Sequence, residues 1–133
     1  MILVDSSVWI QYLKPSSHPS SAHLEKLLLE RMVEVALADI VFLEVMRGIK
    51  GDAEILKTEQ LFERLAMFSL APFSCYQRAS EIGRACWENG YSVGSSVDLL
   101  LAAYSLHWNA QIFTLDKDFK KIQKVVPLRI YEY

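Results

Sequence analysis

Short apolar runs of strand type alternate along this chain with stretches of helical periodicity, and that alternation leaves few architectures open. Ile2 to Val4 is a β-rich run, Val33 to Leu37 alternates around Glu34, and Phe68 to Ala71, Gln111 to Leu115 and Leu128 to Tyr131 complete the candidate strands. Between them lie helical patterns. Val8, Trp9, Tyr12 and Leu13 follow a cap at Ser6 or Ser7; Ala22 to Arg31 turns Leu24, Leu27 and Leu28 inward; Asp39 caps a helix from Ile40 to about Ile49. Ala53 to Met67 and Cys75 to Asn89, the latter closed by Gly90, are the next two, and a further helix carries Asp98 and runs to about Trp108. Pro15 and Pro19 mark a loop. Strands that alternate with helices predict an α/β sandwich with a central, mostly parallel sheet flanked by helices.

A length of 133 residues is the commonest size for one domain and is enough to bury a core, so a single domain over residues 1–133 is expected. Hydrophobic content of 52% against 23% charged excludes a disordered chain, and no apolar stretch is long enough to span a bilayer. Met1 to Val4 is broken at once by Asp5 and has no basic leader, which points to a cytoplasmic protein. Cys75 and Cys86 have neither a disulfide nor a zinc-site spacing with His18, His23 and His107, and read as small buried hydrophobes. The net charge of -2 leaves no overall basic footprint, so any nucleic acid must be held by a local patch. A mean hydropathy of +0.16 suggests apolar area covered by another copy or another protein.

Four acids stand where charge is costly. Asp5 follows Met-Ile-Leu-Val, Glu44 sits inside Ile-Val-Phe-Leu-Glu-Val-Met, Asp98 heads Val-Asp-Leu-Leu-Leu-Ala-Ala, and Asp116 follows Ile-Phe-Thr-Leu. An ionised carboxylate in apolar surroundings needs a partner or a metal. Asp5 and Asp116 also fall after strands, where ligands bind in open α/β sheets. Taken one at a time the acids have plainer readings: Asp5 as a helix cap, Asp98 as an acid favoured by the helix dipole, Glu44 as a buried partner of Arg47, Asp116 as the start of a turn. Taken together they predict one site. A ligand set of carboxylates without His or Cys favours Mg²⁺ or Mn²⁺ over zinc, and suits hydrolysis of a phosphodiester by activated water. Asp5 and Asp98 are then direct ligands, Glu44 a ligand or water-orienting base, and Asp116 a ligand or supporting acid, with Ser6 or Thr114 able to hydrogen-bond a carboxylate or phosphate.

Lys117, Lys120, Lys121 and Lys124 recur at helical spacing directly after Asp116 and either steer an RNA backbone or form an ordinary solvated face. Arg47, Lys50 and Lys14 are further candidates for phosphate contact. The spacing of Trp9, Tyr12, Trp87 and Trp108 favours core packing over base stacking. His18 and His23 carry no assigned role.

These residues resemble a known family. Val-Asp-Ser-Ser-Val-Trp-Ile at Val4 to Ile10, Leu-Glu-Val-Met-Arg-Gly at Leu43 to Gly48, Asp-Leu-Leu-Leu-Ala-Ala at Asp98 to Ala103 and Thr-Leu-Asp-Lys-Asp-Phe at Thr114 to Phe119 are similar to the four signatures of PIN-domain ribonucleases, most of all the VapC toxin group. The resemblance runs from the first residue to the last strand. It implies a PIN-like three-layer sandwich and a Mg²⁺- or Mn²⁺-dependent endoribonuclease whose acidic constellation is Asp5, Glu44, Asp98 and Asp116. It further implies a homodimer, a VapB-type antitoxin whose C-terminal segment lies along a groove near the acids, and a structured RNA target, tRNA or rRNA. It does not settle whether Asp118 substitutes for Asp116, but Asp116 fits the family position and is preferred. Two other readings compete. A haloacid-dehalogenase-type phosphatase wants a second acid where Ser7 stands, and a catalytically silent PIN-like module that only binds RNA or protein has no need of all four acids.

Overall fold

Apolar runs of three or four residues, too short to close a helical turn on themselves, form the sheet. The computed structural model describes residues 1–133. Its strands are β1 (Ile2–Val4), β2 (Val35–Ala38), β3 (Ala66–Phe68) and β4 (Gln111–Phe113). The helices are α1 (Ser6–Leu13), α2 (Pro19–Glu30), α3 (Asp39–Met46), α4 (Asp52–Phe62), α5 (Phe73–Glu88), α6 (Ser96–His107) and α7 (Asp118–Ile122), with a 3₁₀ turn at Met32–Glu34.

The sheet is ordered β3-β2-β1-β4 and every pairing is parallel, with Ile2 opposite Val35 and Gln111, and Ala36 opposite Ala66. Every residue of β1 and β2 is buried, as parallel strands covered on both faces require. The chain steps from β1 to β2 to β3 in one direction, then returns past β1 to β4. Right-handed crossovers therefore place α1 to α4 on one face and α5 and α6 on the other, giving three layers. On one face Trp9 meets Phe62 edge-on, with ring centres 4.9 Å apart. Elsewhere in the core Phe68 stacks on Trp108 at 4.7 Å. The reversal of direction between β1 and β4 is the point at which open α/β sheets leave a crevice at the carboxyl ends of their strands.

Several expected boundaries move. The helix expected to reach Met67 ends at Phe62, because Ala66–Phe68 pairs with the buried Ala36–Ala38 and tertiary pairing outweighs helix propensity. The strand expected at Leu128 to Tyr131 is reduced to a single parallel bridge, Ile112 to Ile130, joined by the Ile112 and Tyr131 amides. Pro19, expected in a loop, opens α2, where its missing N–H costs nothing and the His18 ring caps the Ser20 amide. Asp39 is the first residue of α3 rather than its cap. Its Oδ1 accepts from the Ile40 amide and from the buried Tyr104 hydroxyl at 2.9 Å, which ties the start of α3 to α6. Trp87, expected in the core, is 78% exposed.

The lysine stripe also departs from expectation. Only Lys120 and Lys121 lie within the five-residue α7, Lys124 lies beyond it, and Lys121 is bound to Asp118 at 2.9 Å and to the Ser92 carbonyl. Cys75 and Cys86 are free and buried.

Candidate metal centre

Asp5 leaves β1 at its carboxyl end, only 3% exposed, and its amide donates to the Phe113 carbonyl of β4. The N-cap residue of α1 is Asp5 itself rather than Ser6 or Ser7, and its carboxylate does not cap the helix. Instead Oδ2 accepts the Ser7 hydroxyl at 2.7 Å and the Thr114 hydroxyl at 2.9 Å. These hydroxyls in turn accept from the backbone of the segment after β4, Ser7 from the Leu115 amide at 3.0 Å and Thr114 from the Asp116 amide at 2.9 Å. Asp116 Oδ1 accepts the Asp118 amide at 2.9 Å, which turns the chain into α7.

Asp98 enters from the opposite layer, in the first turn of α6, whose cap Ser95 accepts the Asp98 amide at 3.3 Å. Carboxylate oxygens of Asp98, Asp116 and Asp118 lie within 4.8 Å of one another. Asp98 is pushed up to about 7 from an ordinary 3.8, first by burial, then by the charges of Asp5, Asp116 and Glu44, and by its bond to Asp116. Glu44, partly buried on α3, is raised by burial and by the charge of Asp5, against the Ser6 hydroxyl and the Arg47 guanidinium, which pull it down. Burial therefore outweighs the pairing with Arg47.

The four acids singled out in the sequence share one field, but unequally. Asp98 and Asp116 are in the tight group, Asp5 and Glu44 act on Asp98 from outside it, and Asp118 joins in a place the sequence left open. Glu44 opens onto a groove of about 380 Å³ between α1, α3 and α4, floored by Ile10, Leu13, Val45 and Ile49 and edged by Lys14 and Lys50. Thr114 bonds a carboxylate as expected; Ser7 does so without having been singled out for it. The signal for it is the spacing Asp5-x-Ser7, which a cap reading conceals.

The donor set fits a hard divalent cation. It offers only carboxylate oxygens, it is partly buried, and burial together with the charges of Asp5, Asp116 and Glu44 raises the proton affinity of Asp98, a conflict that a divalent ion removes. No helix is long and apolar enough to cross a membrane.

Residues 2–125 match the PIN domain, and the chain belongs to the PIN-domain family. Among curated relatives, Ribonuclease VapC11 of Mycobacterium tuberculosis is 27% identical over 129 residues, which cover 97% of this chain and 96% of the relative. Among solved structures, VapBC2 from Rickettsia felis, bound to a DNA fragment from its promoter, superposes with a TM-score of 0.77 at 21% identity, covering 100% of this chain and 99% of that one. VapC20 of Mycobacterium tuberculosis, a toxin that cleaves the sarcin-ricin loop, superposes at 0.66 with 18% identity, covering 97% and 99%.

Proposed function

We propose that this chain is a divalent-metal-dependent endoribonuclease of the VapC type, a toxin held inactive by a VapB-type antitoxin. The observation that carries the reading is the gathering of the Asp98, Asp116 and Asp118 carboxylate oxygens within 4.8 Å of one another, with Asp98 partly buried and in the field of Asp5 and Glu44. Family membership and the ribonuclease relative support the class of reaction.

Asp5, Asp98 and Asp116 would hold a Mg²⁺ or Mn²⁺ ion, with Asp118 beside them. Bound there, such an ion would lower the pKa of water and neutralise charge on the phosphate. Glu44, with its raised proton affinity, orients the attacking water and takes its proton. The water oxygen bonds to phosphorus, one ester P–O bond breaks, and the departing oxygen leaves as a hydroxyl after gaining a proton from solvent. Lys14 and Lys50 lie beside Glu44 and draw the phosphate backbone toward it. The substrate is structured RNA, tRNA or rRNA; VapC20, of similar fold, cleaves the sarcin-ricin loop.

The groove beside Glu44 receives the antitoxin. Its apolar floor takes spaced hydrophobic side chains of an amphipathic segment, while Glu44 and Glu54 attract a basic one. The toxin works as a homodimer in the cytoplasm.

Purified chain incubated with total tRNA and rRNA in Mg²⁺ tests the reading. Cleavage that is abolished by EDTA and by Asp98→Asn is the expected result. Cleavage indifferent to both refutes the metal mechanism, and RNA binding without cleavage favours the silent module.

A further inference from the structure

We propose that Ser7 and Thr114 are positioning residues that present Asp5 to the metal through one oxygen only, an inference that rests on the metal-centre reading above. The argument is a count of protons. Each hydroxyl has one to donate, and each already accepts a backbone amide, Ser7 from Leu115 and Thr114 from Asp116. The separation between the two hydroxyls, 3.4 Å, is long for an O–H···O bond, whereas Asp5 Oδ2 lies 2.7 and 2.9 Å from them. Both protons therefore go to Oδ2. No protein group donates to Oδ1, so it is the oxygen left to bind a cation, in a direction set by the other two bonds.

The same bonds do a second thing. Leu115 and Asp116 belong to the segment that delivers Asp116 and Asp118, and their amides are fastened to Asp5 through the two hydroxyls. The acid from β1 and the acids beyond β4 are thus held in register by a single network that spans residues 5 to 116. Side chains that orient metal ligands in this way are typically worth about 10- to 100-fold in metal affinity. A hydroxyl suits the position because it accepts an N–H and donates to a carboxylate at once, which neither a methyl group nor an ionised acid can do.

Mn²⁺ affinity measured by calorimetry, without RNA, tests this directly in the wild-type chain and in Ser7→Ala, Thr114→Val and Thr114→Ser, with circular dichroism as the control for folding. Ser7→Ala and Thr114→Val are expected to raise the Mn²⁺ Kd about 10- to 100-fold, while Thr114→Ser, which keeps the hydroxyl, stays within about 3-fold of wild type. In cleavage assays at saturating Mn²⁺ the two hydroxyl-less variants should lose kcat and keep KM for RNA. If Ser7→Ala fails to fold, the near-isosteric Thr114→Val decides the question, since it removes a donor to the same oxygen. Folded variants without the hydroxyl that bind Mn²⁺ as tightly as wild type overturn the positioning role alone. A wild-type chain that binds no Mn²⁺ overturns the metal-centre reading, and this inference with it.

Discussion

Asp98 is the residue on which burial and like charge act most strongly. Its carboxyl stands at about 7 in the folded chain against an ordinary 3.8, so between these values the folded state holds a proton that the unfolded state has released. Stability of the metal-free protein must then fall as pH rises from about 4 through about 7, and the penalty is complete above that. Glu44, also raised, adds in the same direction. Urea denaturation in EDTA at pH 5, 6, 7 and 8 should show this decline, and Asp98→Asn should flatten it. Parallel curves for variant and wild type would contradict the assignment. At this scale Asp5, Glu44, Asp98 and Asp116 were legible in the sequence because each interrupts an apolar run. Ser7 was not, because a serine at the second position of a helix is indistinguishable in sequence from a cap until β4 is brought beside it. Asp118 was half legible, since sequence alone does not say which acid of Asp-Lys-Asp a turn will aim inward.

Among the elements, α3 and α6 carry Glu44 and Asp98, and the bond from the Tyr104 hydroxyl to Asp39 fastens one to the other. Tyr104 is fully buried, so Tyr104→Phe removes a charge-assisted bond at little cost in packing. It should destabilise the protein by about 1.5–3 kcal/mol in chemical denaturation, the range for a hydrogen bond to a charged group, and a loss below about 0.5 kcal/mol would mean that the bond is idle. α5 and α6 pack closely at Gly83, where an added Cβ would lie 2.9 Å from Leu99 Cδ1, next in sequence to Asp98. Gly90 closes α5 at φ +79, as its position in the sequence suggested. The strands β1 and β4 and the helices α5 and α6 were readable from periodicity. The boundary between α4 and β3 was not, because Leu65, Ala66 and Met67 have good helix propensity and only the pairing with β2 makes two of them strand. Nor was the brevity of α7, whose lysine spacing continues past its end.

In the molecule as a whole, the sheet order β3-β2-β1-β4 gathers at one edge acids that are up to 111 residues apart in sequence, from Asp5 to Asp116. The alternation of strand and helix patterns announced this architecture, while strand order has no local signature and had to come from the fold. Beside the acids runs the groove assigned to the antitoxin. Ile10 lines it and is 47% exposed, so a charge there can be hydrated in the free chain and is costly only once a partner covers it. Ile10→Asp should raise the antitoxin Kd about 10-fold or more in surface plasmon resonance, equivalent to at least about 1.4 kcal/mol. An unchanged Kd would place the partner elsewhere.

That the acids form one cation-binding unit can be measured through protons. Burial, and then the charges of Asp5, Asp116 and Glu44, raise the proton affinity of Asp98 into the neutral range, so a divalent ion that enters displaces protons from it. Mn²⁺ titrations at pH 7 in two buffers of different ionisation enthalpy count the protons released. Proton release on Mn²⁺ binding by wild type that exceeds any release by Asp98→Asn is the expected result; equal release from both chains, or a wild-type chain that binds no Mn²⁺, would contradict it.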